Sequence, residues 1–407
     1  MGIIAEYNPL HRGHLYHIRK SRCRDASVPI VAVISSNFVQ RGEPALVSKG
    51  LRAEMALACG VDLALELPVV FSSHNAGVFA DAAVDIIAAT GQVSSLSFGM
   101  ETPYVGMAND LADILNDEPR RFRVALKKNL GAGFSFVQAR SMALDDIVPG
   151  SLELLKRPNN NLALAYVKRI REKNYDIEPR AVERLGSGFH ETAVSFADAS
   201  ATAIRALVFE GRFEEAYSFM PDESVRLLRR AAEAGRLTND RDRLWRAVKQ
   251  AIIRCGTDGL LGISEMGEGL ENRMFGVAMR SDSFDSFVDA CATRRYTKGR
   301  IQRHCAHLLI NLGHEDSREF QKRGPAYIRV LGATTAGRRL LADMREKATL
   351  PVITRTSAPK SAKRGDPGVA TAAKIMAFEH RATEIWETLA EKPELRSEAR
   401  LIPLMPD

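Results

Sequence analysis

Three histidines near the amino terminus are spaced so that they can act on one ligand. His11, His14 and His17 recur at every third residue, shortly after an apolar run at residues 2–6. On a helix this spacing places the imidazoles on one side, and the amino end of a helix offers free N–H groups to an anion. Gly13 has no side chain, so a ligand can approach the backbone closely. The pattern indicates a phosphate site in which His11 and His14 stabilise transition-state charge.

Two other interpretations of these histidines stay open on spacing alone. They could be ordinary polar residues at a helix start, or their three-residue period could hold a metal ion. Metal-binding imidazoles usually need a carboxylate that orients them, and none is evident beside this segment. We therefore predict no metal at this site.

The first half of the chain alternates between strand and helix patterns around these histidines. The predicted strands are 2–6, 29–35, 61–67, 94–98 and 177–185, and the predicted helices are 13–22, 48–59, 76–90, 107–146, 158–174 and 200–210. Pro179 indicates that the fifth strand lies at an edge. Such alternation predicts an α/β fold with a Rossmann-like parallel sheet. The histidines then follow the carboxyl end of the first strand, where open sheets bind ligands.

Strand patterns stop after Gly211, and helical patterns follow at 222–234, 240–255, 268–279, 283–291 and 298–312. We therefore expect an α/β domain at 1–210 and an α-helical domain at 211–350. Residues 351–370 are rich in Pro, Gly, Lys and Arg, which predicts a flexible linker. Residues 371–407 are expected to form a last helix and a tail that dock on the helical domain.

Composition excludes several classes of protein. The 407 residues include 57 Lys and Arg against 50 Asp and Glu, a formal net charge of +7, and 45% are hydrophobic, so wholesale disorder is excluded. No apolar run is long enough to span a membrane, no secretory signal opens the chain, and the five cysteines contain no CxxC pair. We expect a cytoplasmic protein with reduced thiols, no membrane contact and no obligate protein partner.

The segments around the histidines resemble one enzyme family. HxGH after a first strand is the signature of the nucleotidyltransferase superfamily, and the opening GIIAEYNPLHRGHLYHI resembles the bacterial tRNA(Met) cytidine acetate ligase family. Further segments match that family in the same order: NFVQRGEPA at 37–45, GVDLALELP at 60–68, FGME at 98–101, LKRPNNNL at 155–162 and SATAIR at 200–205. The resemblance covers residues 1–210 and is weaker beyond them.

The resemblance implies a HUP-type α/β fold and an ATP-dependent ligase. Such an enzyme joins acetate to AMP, releases pyrophosphate, and passes the acetyl group to the exocyclic amine of the wobble cytidine of elongator tRNA(Met), without acetyl-CoA. ATP is the expected co-substrate, and no carboxylate pair in the sequence decides whether Mg²⁺ is required. The family's ATP-binding residues correspond here to Ile4, Ala5, Glu6, Tyr7, Asn8, Pro9, Leu10, His11, Arg12, Gly13, His14, Leu15, Tyr16, His17, Gly99, Asn159 and Arg184.

Other polar residues at strand ends and helix starts are candidate contacts to phosphate or acetate, because guanidinium and hydroxyl groups donate to such anions. They are Arg41, Ser200, Thr202 and Arg205. Plainer alternatives stay open, such as a helix cap at Asn159 or Ser200 and a surface arginine at Arg184. Lys49 and Arg52 face either the crevice or solvent.

Two basic clusters are candidates for RNA binding, since Lys and Arg contact phosphates without reading sequence. The first is Arg294, Arg295, Lys298, Arg300 and Arg303, with Tyr296 among them, and the second is Arg226, Arg229, Arg230, Arg236, Arg241, Arg243 and Arg246. Acidic neighbours make the second cluster equally typical of a solvated helix face.

Two other functions remain as alternatives. A small-molecule adenylyltransferase of a cofactor pathway is disfavoured because it does not need the long basic second half. A non-catalytic RNA-binding protein on a nucleotidyltransferase fold is disfavoured because both histidines, Gly13 and the SATAIR segment are present.

Overall fold

A seven-stranded sheet lies at the centre of the computed structural model, which describes residues 1–22, 27–184, 200–355 and 367–406. Its strands are β1 (Gly2–Ala5), β2 (Val31–Ser35), β3 (Leu63–Leu67), β4 (Ser95–Met100), β5 (Glu178–Glu183), β6 (Ile328–Ala333) and β7 (Val352–Ile353). Their order across the sheet is β5-β4-β1-β2-β3-β6-β7. The first five are parallel, and β6 runs antiparallel to β3. The order reverses between β1 and β4, the position where open α/β sheets bind ligands.

Helices cover both faces of the sheet and extend beyond it. They are α1 (Arg12–Arg22), α2 (Lys49–Ala58), α3 (Val69–Ser72), α4 (Ala76–Ala89), α5 (Val105–Asp117), α6 (Arg120–Gly131), α7 (Phe136–Asp145), α8 (Ser151–Leu155), α9 (Pro158–Glu172), α10 (Ala201–Phe209), α11 (Phe213–Ser218), α12 (Asp222–Glu233), α13 (Arg241–Leu261), α14 (Leu270–Ala278), α15 (Phe284–Cys291), α16 (Lys298–Ile310), α17 (His314–Arg323), α18 (Thr335–Lys347), α19 (Pro367–Leu389) and α20 (Ser397–Arg400). No helix in these described ranges is long and apolar enough to cross a bilayer.

Strand side chains alternate between two hydrophobic cores. Val31 and Val33 of β2 belong to the core that α4 and α9 cover, and Ala32 and Ile34 belong to the core that α1, α2 and α10–α12 cover. This is the two-residue period of a strand. Because both faces are covered, every residue of β2 and β3 is buried, which explains their apolar runs. A third core lies among α13–α16.

The predicted α/β class and mostly parallel sheet are confirmed, and Pro179 does lie in an edge strand. The predicted helical stretch 107–146 consists of three helices, because Pro119 and the left-handed Gly133 (φ 85°) interrupt it. The end of the predicted fifth strand, Leu185, lies outside the described residues.

The prediction that strands end at Gly211 is wrong. Strand β6 lies beside β3 with Leu63 opposite Ala333. The run IRVLGA is a short apolar segment, which periodicity alone does not distinguish from buried helix. Helices α11 and α12 also pack on the sheet, through Ala216 and Leu227.

The predicted linker and last helix also differ from expectation. Strand β7 and the start of α19 at Pro367 fall within the predicted linker 351–370, of which residues 356–366 lie outside the described residues. Helix α19 contacts α3 as well as α16, and Ile375 and Trp386 are buried in the core under the sheet. The helix therefore docks on the sheet as well as on the helical part.

A buried cluster of five charged side chains ties the carboxyl-terminal segment to the sheet. Lys49 Nζ lies 2.8 Å from Glu379 and 2.9 Å from Glu398 and also contacts Glu66, while Arg329 pairs with Glu66 and Glu398. Burial and the other carboxylates raise the pKa of Glu379 to about 7, whereas Lys49 and Arg329, acting against burial, lower the pKa of Glu398 to about 2. The three carboxylates lie close enough together for a metal ion, but the two cations already occupy the space between them.

Candidate active site

The HxGH segment turns from β1 into α1 beside the reversal in strand order. The rings of His11 and His14 stack, with centroids 3.8 Å apart. Gly13 N–H donates to His11 Nδ1 at 3.1 Å, and His11 N–H donates to His14 Nδ1 at 3.3 Å. Because both Nδ1 atoms accept, the proton of each neutral ring lies on Nε2. The turn therefore presents two Nε2–H donors side by side.

Gly13 is required by the His11 ring. A Cβ added at Gly13 would lie 2.9 Å from Cε1 of His11 and 3.1 Å from its Nδ1. A side chain would therefore displace the imidazole that the turn positions. The close approach of the His11 ring is thus a second reason for glycine here, beside the predicted approach of a ligand to the backbone.

All three histidines are neutral at neutral pH in this structure. Burial, together with the nearby Arg184 guanidinium, lowers the pKa of His11 to about 4 and that of His17 to about 4. Burial and the neighbouring His11 hold the pKa of His14 well below its ordinary value. His17 Nε2 lies 2.9 Å from Ser97 Oγ in β4, so this ring is bound to the sheet.

The β4–β5 side of the crevice brings together the distant predicted residues. The Arg184 side chain lies across Gly99, where an added Cβ would be 3.1 Å from Arg184 Cγ. Just beyond Gly99, Glu101 accepts hydrogen bonds from the Asn159 side chain and from Asn160 N–H, at the start of α9. Gly99, Asn159 and Arg184 thus lie near one another although they are far apart in sequence.

Helix α1 divides the predicted ATP-binding stretch between two faces. Arg12, Leu15 and Tyr16 lie on the face opposite His14 and line a cleft of about 750 Å³ with Met220 and Pro221. The structure does not bring these three side chains to the crevice. The 3.6-residue period of a helix could have made this distinction, because residues one or two positions from His14 point elsewhere.

Arg205 stabilises the histidine turn by binding the segment that precedes it. Its guanidinium donates to the carbonyl oxygen of Asn8 and to the carboxylate of Glu43, each at 2.9 Å, and only 7% of the residue is exposed. Asn8 Oδ1 in turn accepts from Leu46 N–H at 2.8 Å. The Arg205 guanidinium, which was predicted to contact phosphate, is bound to Asn8 and Glu43 in this structure.

The other candidate anion contacts have different surroundings. Ser200 caps α10 by accepting from Ala203 N–H at 3.2 Å, the plainer of its two interpretations. Thr202 accepts a hydrogen bond from Arg205 at 3.4 Å. Arg41 is exposed in the loop after β2. All three residues are exposed.

Two buried cations were not recognised as structural from the sequence. Lys49 belongs to the buried charge cluster, and Arg52 donates to the carbonyl oxygens of Glu6 (2.7 Å) and Ser36 (2.7 Å). Charged residues are almost never fully buried unless they are paired. The sequence therefore predicted that the Lys49 and Arg52 side chains face the crevice or solvent. The partners that bury them come from distant segments.

The loop after β2 is packed against the helix that carries the first basic cluster. Gly42 has φ 76°, and a Cβ there would lie 2.4 Å from the backbone nitrogen of Arg303. Glu43 accepts from Gln302 of α16 at 3.1 Å as well as from Arg205. The histidine turn, this loop and α16 therefore form one continuous unit, in which Glu43 was not predicted.

The predicted RNA-binding clusters are partly neutralised by acidic neighbours. Arg295 pairs with Glu268 and Lys298 with Asp289, while Arg300 lies over the Tyr296 ring. Arg303 is half-buried, and burial lowers its pKa, whereas Arg294 is exposed. In the second cluster the ion pairs are Arg226–Glu223, Arg229–Glu214, Arg230–Glu54, Arg236–Glu387, Arg241–Asp285 and Arg243–Asp240.

We expect acid to destabilise the fold through its buried histidines. Burial lowers the pKa values of His74, His304 and His307 to about 3, against an ordinary value of 6.5. The unfolded chain therefore binds protons that the folded chain does not, so stability falls as pH falls below 6.5. The Tm should drop steeply between pH 7 and about pH 4, and His304→Asn should make the drop shallower. A Tm that is constant over this interval would contradict the burial of neutral rings.

Comparison with known proteins gives matches over nearly the whole chain. Residues 1–400 match the family model described as HIGH Nucleotidyl Transferase. The tRNA(Met) cytidine acetate ligase of Syntrophomonas wolfei is 35% identical over 405 residues, covering 98% of this chain and 97% of that protein. The corresponding protein of Bacillus licheniformis is 36% identical over 363 residues, covering 88% and 87%. A crystal structure of Thermotoga maritima TmcAL bound with alpha-thio ATP has a TM-score of 0.90 at 32% identity, covering 99% of this chain and 98% of that one.

Proposed function

Because the chain belongs to the tRNA(Met) cytidine acetate ligase family of HIGH nucleotidyltransferases, we propose that it activates acetate with ATP and transfers the acetyl group to the wobble cytidine of elongator tRNA(Met). The observation that carries this proposal is the pair of Nε2–H donors on His11 and His14 beside Arg184. They lie at the reversal in strand order. The similarity to a structure bound with alpha-thio ATP supports ATP as the co-substrate.

In the first step, an acetate oxygen attacks the α-phosphorus of ATP. The new P–O bond gives acetyl-AMP as the bond from the α-phosphorus to the bridging oxygen breaks, and pyrophosphate leaves with that electron pair. Negative charge develops on the phosphate oxygens. His11 and His14 donate neutral N–H groups to them and Arg184 supplies positive charge, so the transition state is stabilised by groups fixed in advance.

In the second step, the exocyclic amine of the cytidine attacks the carbonyl carbon of acetyl-AMP. The C–N bond forms, the C–O bond to AMP breaks, and the nitrogen loses a proton, which gives N4-acetylcytidine. The wobble base lies in a loop, where an unpaired base can be turned outward into a pocket. Arg294, in the turn before α16, and Arg300, in the first turn of that helix, are proposed to contact the phosphates of this RNA loop.

Among the described residues, the site contains no group of side chains that is free to bind a metal ion. Glu101 is bound by Asn159 and Asn160, Glu6 accepts from Gln40 N–H, and the three clustered carboxylates hold Lys49 and Arg329. In this proposal Mg²⁺ belongs with the triphosphate of ATP. We further propose that the enzyme works in the cytoplasm without an obligate protein partner.

The first half-reaction tests the proposal without RNA. We expect the protein to exchange labelled pyrophosphate into ATP only when acetate is present, because acetyl-AMP formation is reversible. Propionate should support weaker exchange, because a pocket that closes around acetate has no room for another methylene, and one methylene typically changes selectivity by about 10- to 200-fold. Exchange that is indifferent to acetate, or that requires a cofactor precursor instead, would favour a small-molecule adenylyltransferase.

A further inference from the structure

The hairpin of α6 and α7 carries an unbalanced positive charge. No Asp or Glu occurs between Glu118 and Asp145, and this stretch contains six cations: Arg120, Arg121, Arg123, Lys127, Lys128 and Arg140. The first five are exposed, and Arg140 is half-buried. The two helices pack on each other, so the cations share one compact element.

These cations differ from those of the two predicted basic clusters. Within the described part of the chain, none of the six has a carboxylate partner, whereas Arg295, Lys298 and most of the second cluster do. The Nε of Arg140 is buried without a hydrogen-bond partner there, and burial lowers the Arg140 pKa. The hairpin therefore offers positive charge that the protein itself does not neutralise.

Large apolar side chains are exposed among these charges. Phe136 and Val137 are 58% and 63% exposed, and Leu130 and Phe134 lie in the turn region at 42% each. Exposed aromatic rings between Lys and Arg are typical of surfaces that bind single-stranded nucleic acid, where bases stack on the rings and cations track the phosphates.

The base of the hairpin leads to the β4 side of the crevice. Leu152 N–H of α8 donates to Asp145 Oδ1 at the end of α7, at 2.9 Å. Helix α8 packs on α7 and on α9, and α9 begins at Pro158, where Asn159 binds Glu101 beyond β4. The hairpin is thus joined by direct contacts to the wall of the proposed ATP site.

We propose that the α6–α7 hairpin is an RNA-binding surface for an unpaired loop of the substrate, with its cations on phosphates and Phe134 and Phe136 stacked on bases. The proposal rests on the proposed function. An anionic membrane also attracts basic and apolar residues, but helices that lie on membranes separate the two kinds on opposite faces. Here Val124, 61% exposed, is flanked three and four residues away by Arg120, Arg121, Lys127 and Lys128.

The test is a fourfold neutralisation, Arg121→Gln, Arg123→Gln, Lys127→Gln and Lys128→Gln, in the full-length protein. The matched control removes four exposed cations of α18, with Arg338→Gln, Arg339→Gln, Arg345→Gln and Lys347→Gln. A second variant, Phe134→Ala with Phe136→Ala, removes the rings and leaves the charge. All mutated side chains are exposed, so circular dichroism should show unchanged folding.

The expected results concern tRNA affinity at several salt concentrations. Each phosphate contact contributes about 0.7 to 0.9 to the slope of log affinity against log salt, so the fourfold variant should lose about 3 from that slope. The phenylalanine variant should lose about 10-fold or more in affinity with the slope unchanged, because stacking contributes about 1–3 kcal/mol per base. Acetate-dependent pyrophosphate exchange should be unchanged in both, and the control should match wild type.

Unchanged tRNA affinity in both variants would overturn the proposal. A second result would also overturn it: wild type binds phosphatidylglycerol vesicles, and the fourfold variant loses this binding but keeps its tRNA affinity. The surface would then be a membrane contact. Failure of the proposed function would be seen in a different assay. Wild type would then show no acetate-dependent pyrophosphate exchange, an assay that contains no RNA.

Discussion

Replacing His14 by alanine is expected to lower acetate-dependent pyrophosphate exchange by about 10²- to 10³-fold, the usual cost of losing one fixed transition-state donor. The ring stacks on His11 and accepts from His11 N–H, so its Nε2–H is aimed by the turn itself. Because the loss falls on the transition state, kcat should fall more than the KM for ATP rises.

Two controls separate chemistry from folding in this prediction. His14→Gln keeps an N–H donor and should recover part of the rate. His17→Ala removes a ring of the same face that is already bound to Ser97, and its effect should be smaller. An H14A variant with wild-type exchange, or one whose loss of activity only follows a loss of folded protein, would contradict the assignment.

The second large effect is expected in the buried charge cluster. Lys49→Met leaves Glu66, Glu379 and Glu398 with Arg329 as their one remaining cation in the described cluster. Removing one partner of a buried ion pair typically costs about 3–5 kcal/mol of folding free energy, because a charge stays buried without compensation. Urea unfolding should show this loss, while Lys173→Met, at an exposed lysine, should change stability by about 0.5 kcal/mol or less.

A double variant tests the cause of that loss. Glu379→Gln removes a carboxylate whose pKa burial raises to about 7, so adding it to Lys49→Met should restore part of the stability. The raised pKa also means that ionising Glu379 costs wild-type stability as pH rises from 4.5 through about 7, and E379Q should remove this part of the pH dependence. If K49M and K49M/E379Q are equally stable, the cluster does not act through uncompensated charge.

The sequence predicted the first five strands and the histidine turn because their signals are local. A continuous apolar run in β2 or β3 reflects burial on both faces, and HxGH reflects one turn of backbone. Strand β6 has an equally short apolar run, but its place is set by antiparallel pairing with β3, a partner far away in the chain. A pattern read over a few residues does not contain that information.

The charged residues show the same limit of local sequence patterns. Lys49 and Arg205 each lie on a helix where local pattern predicts solvent or ligand, yet both are buried by partners on other segments, Glu379 and Glu43 among them. The face of α1 that carries Arg12, by contrast, was predictable from helical period. A local motif can therefore be recognised from sequence, whereas the long-range contacts that hold it are evident only in the structure.

The most direct test of the function is nucleoside analysis of tRNA(Met) incubated with the protein, ATP and labelled acetate. The account predicts labelled N4-acetylcytidine at the wobble position, absent when either ATP or acetate is left out, with AMP and pyrophosphate formed in step with acetyl transfer. Acetyl-CoA alone, freed of acetate and ATP, should give no product. Efficient acetylation from acetyl-CoA, or consumption of ATP and acetate without labelled cytidine in the tRNA, would contradict it.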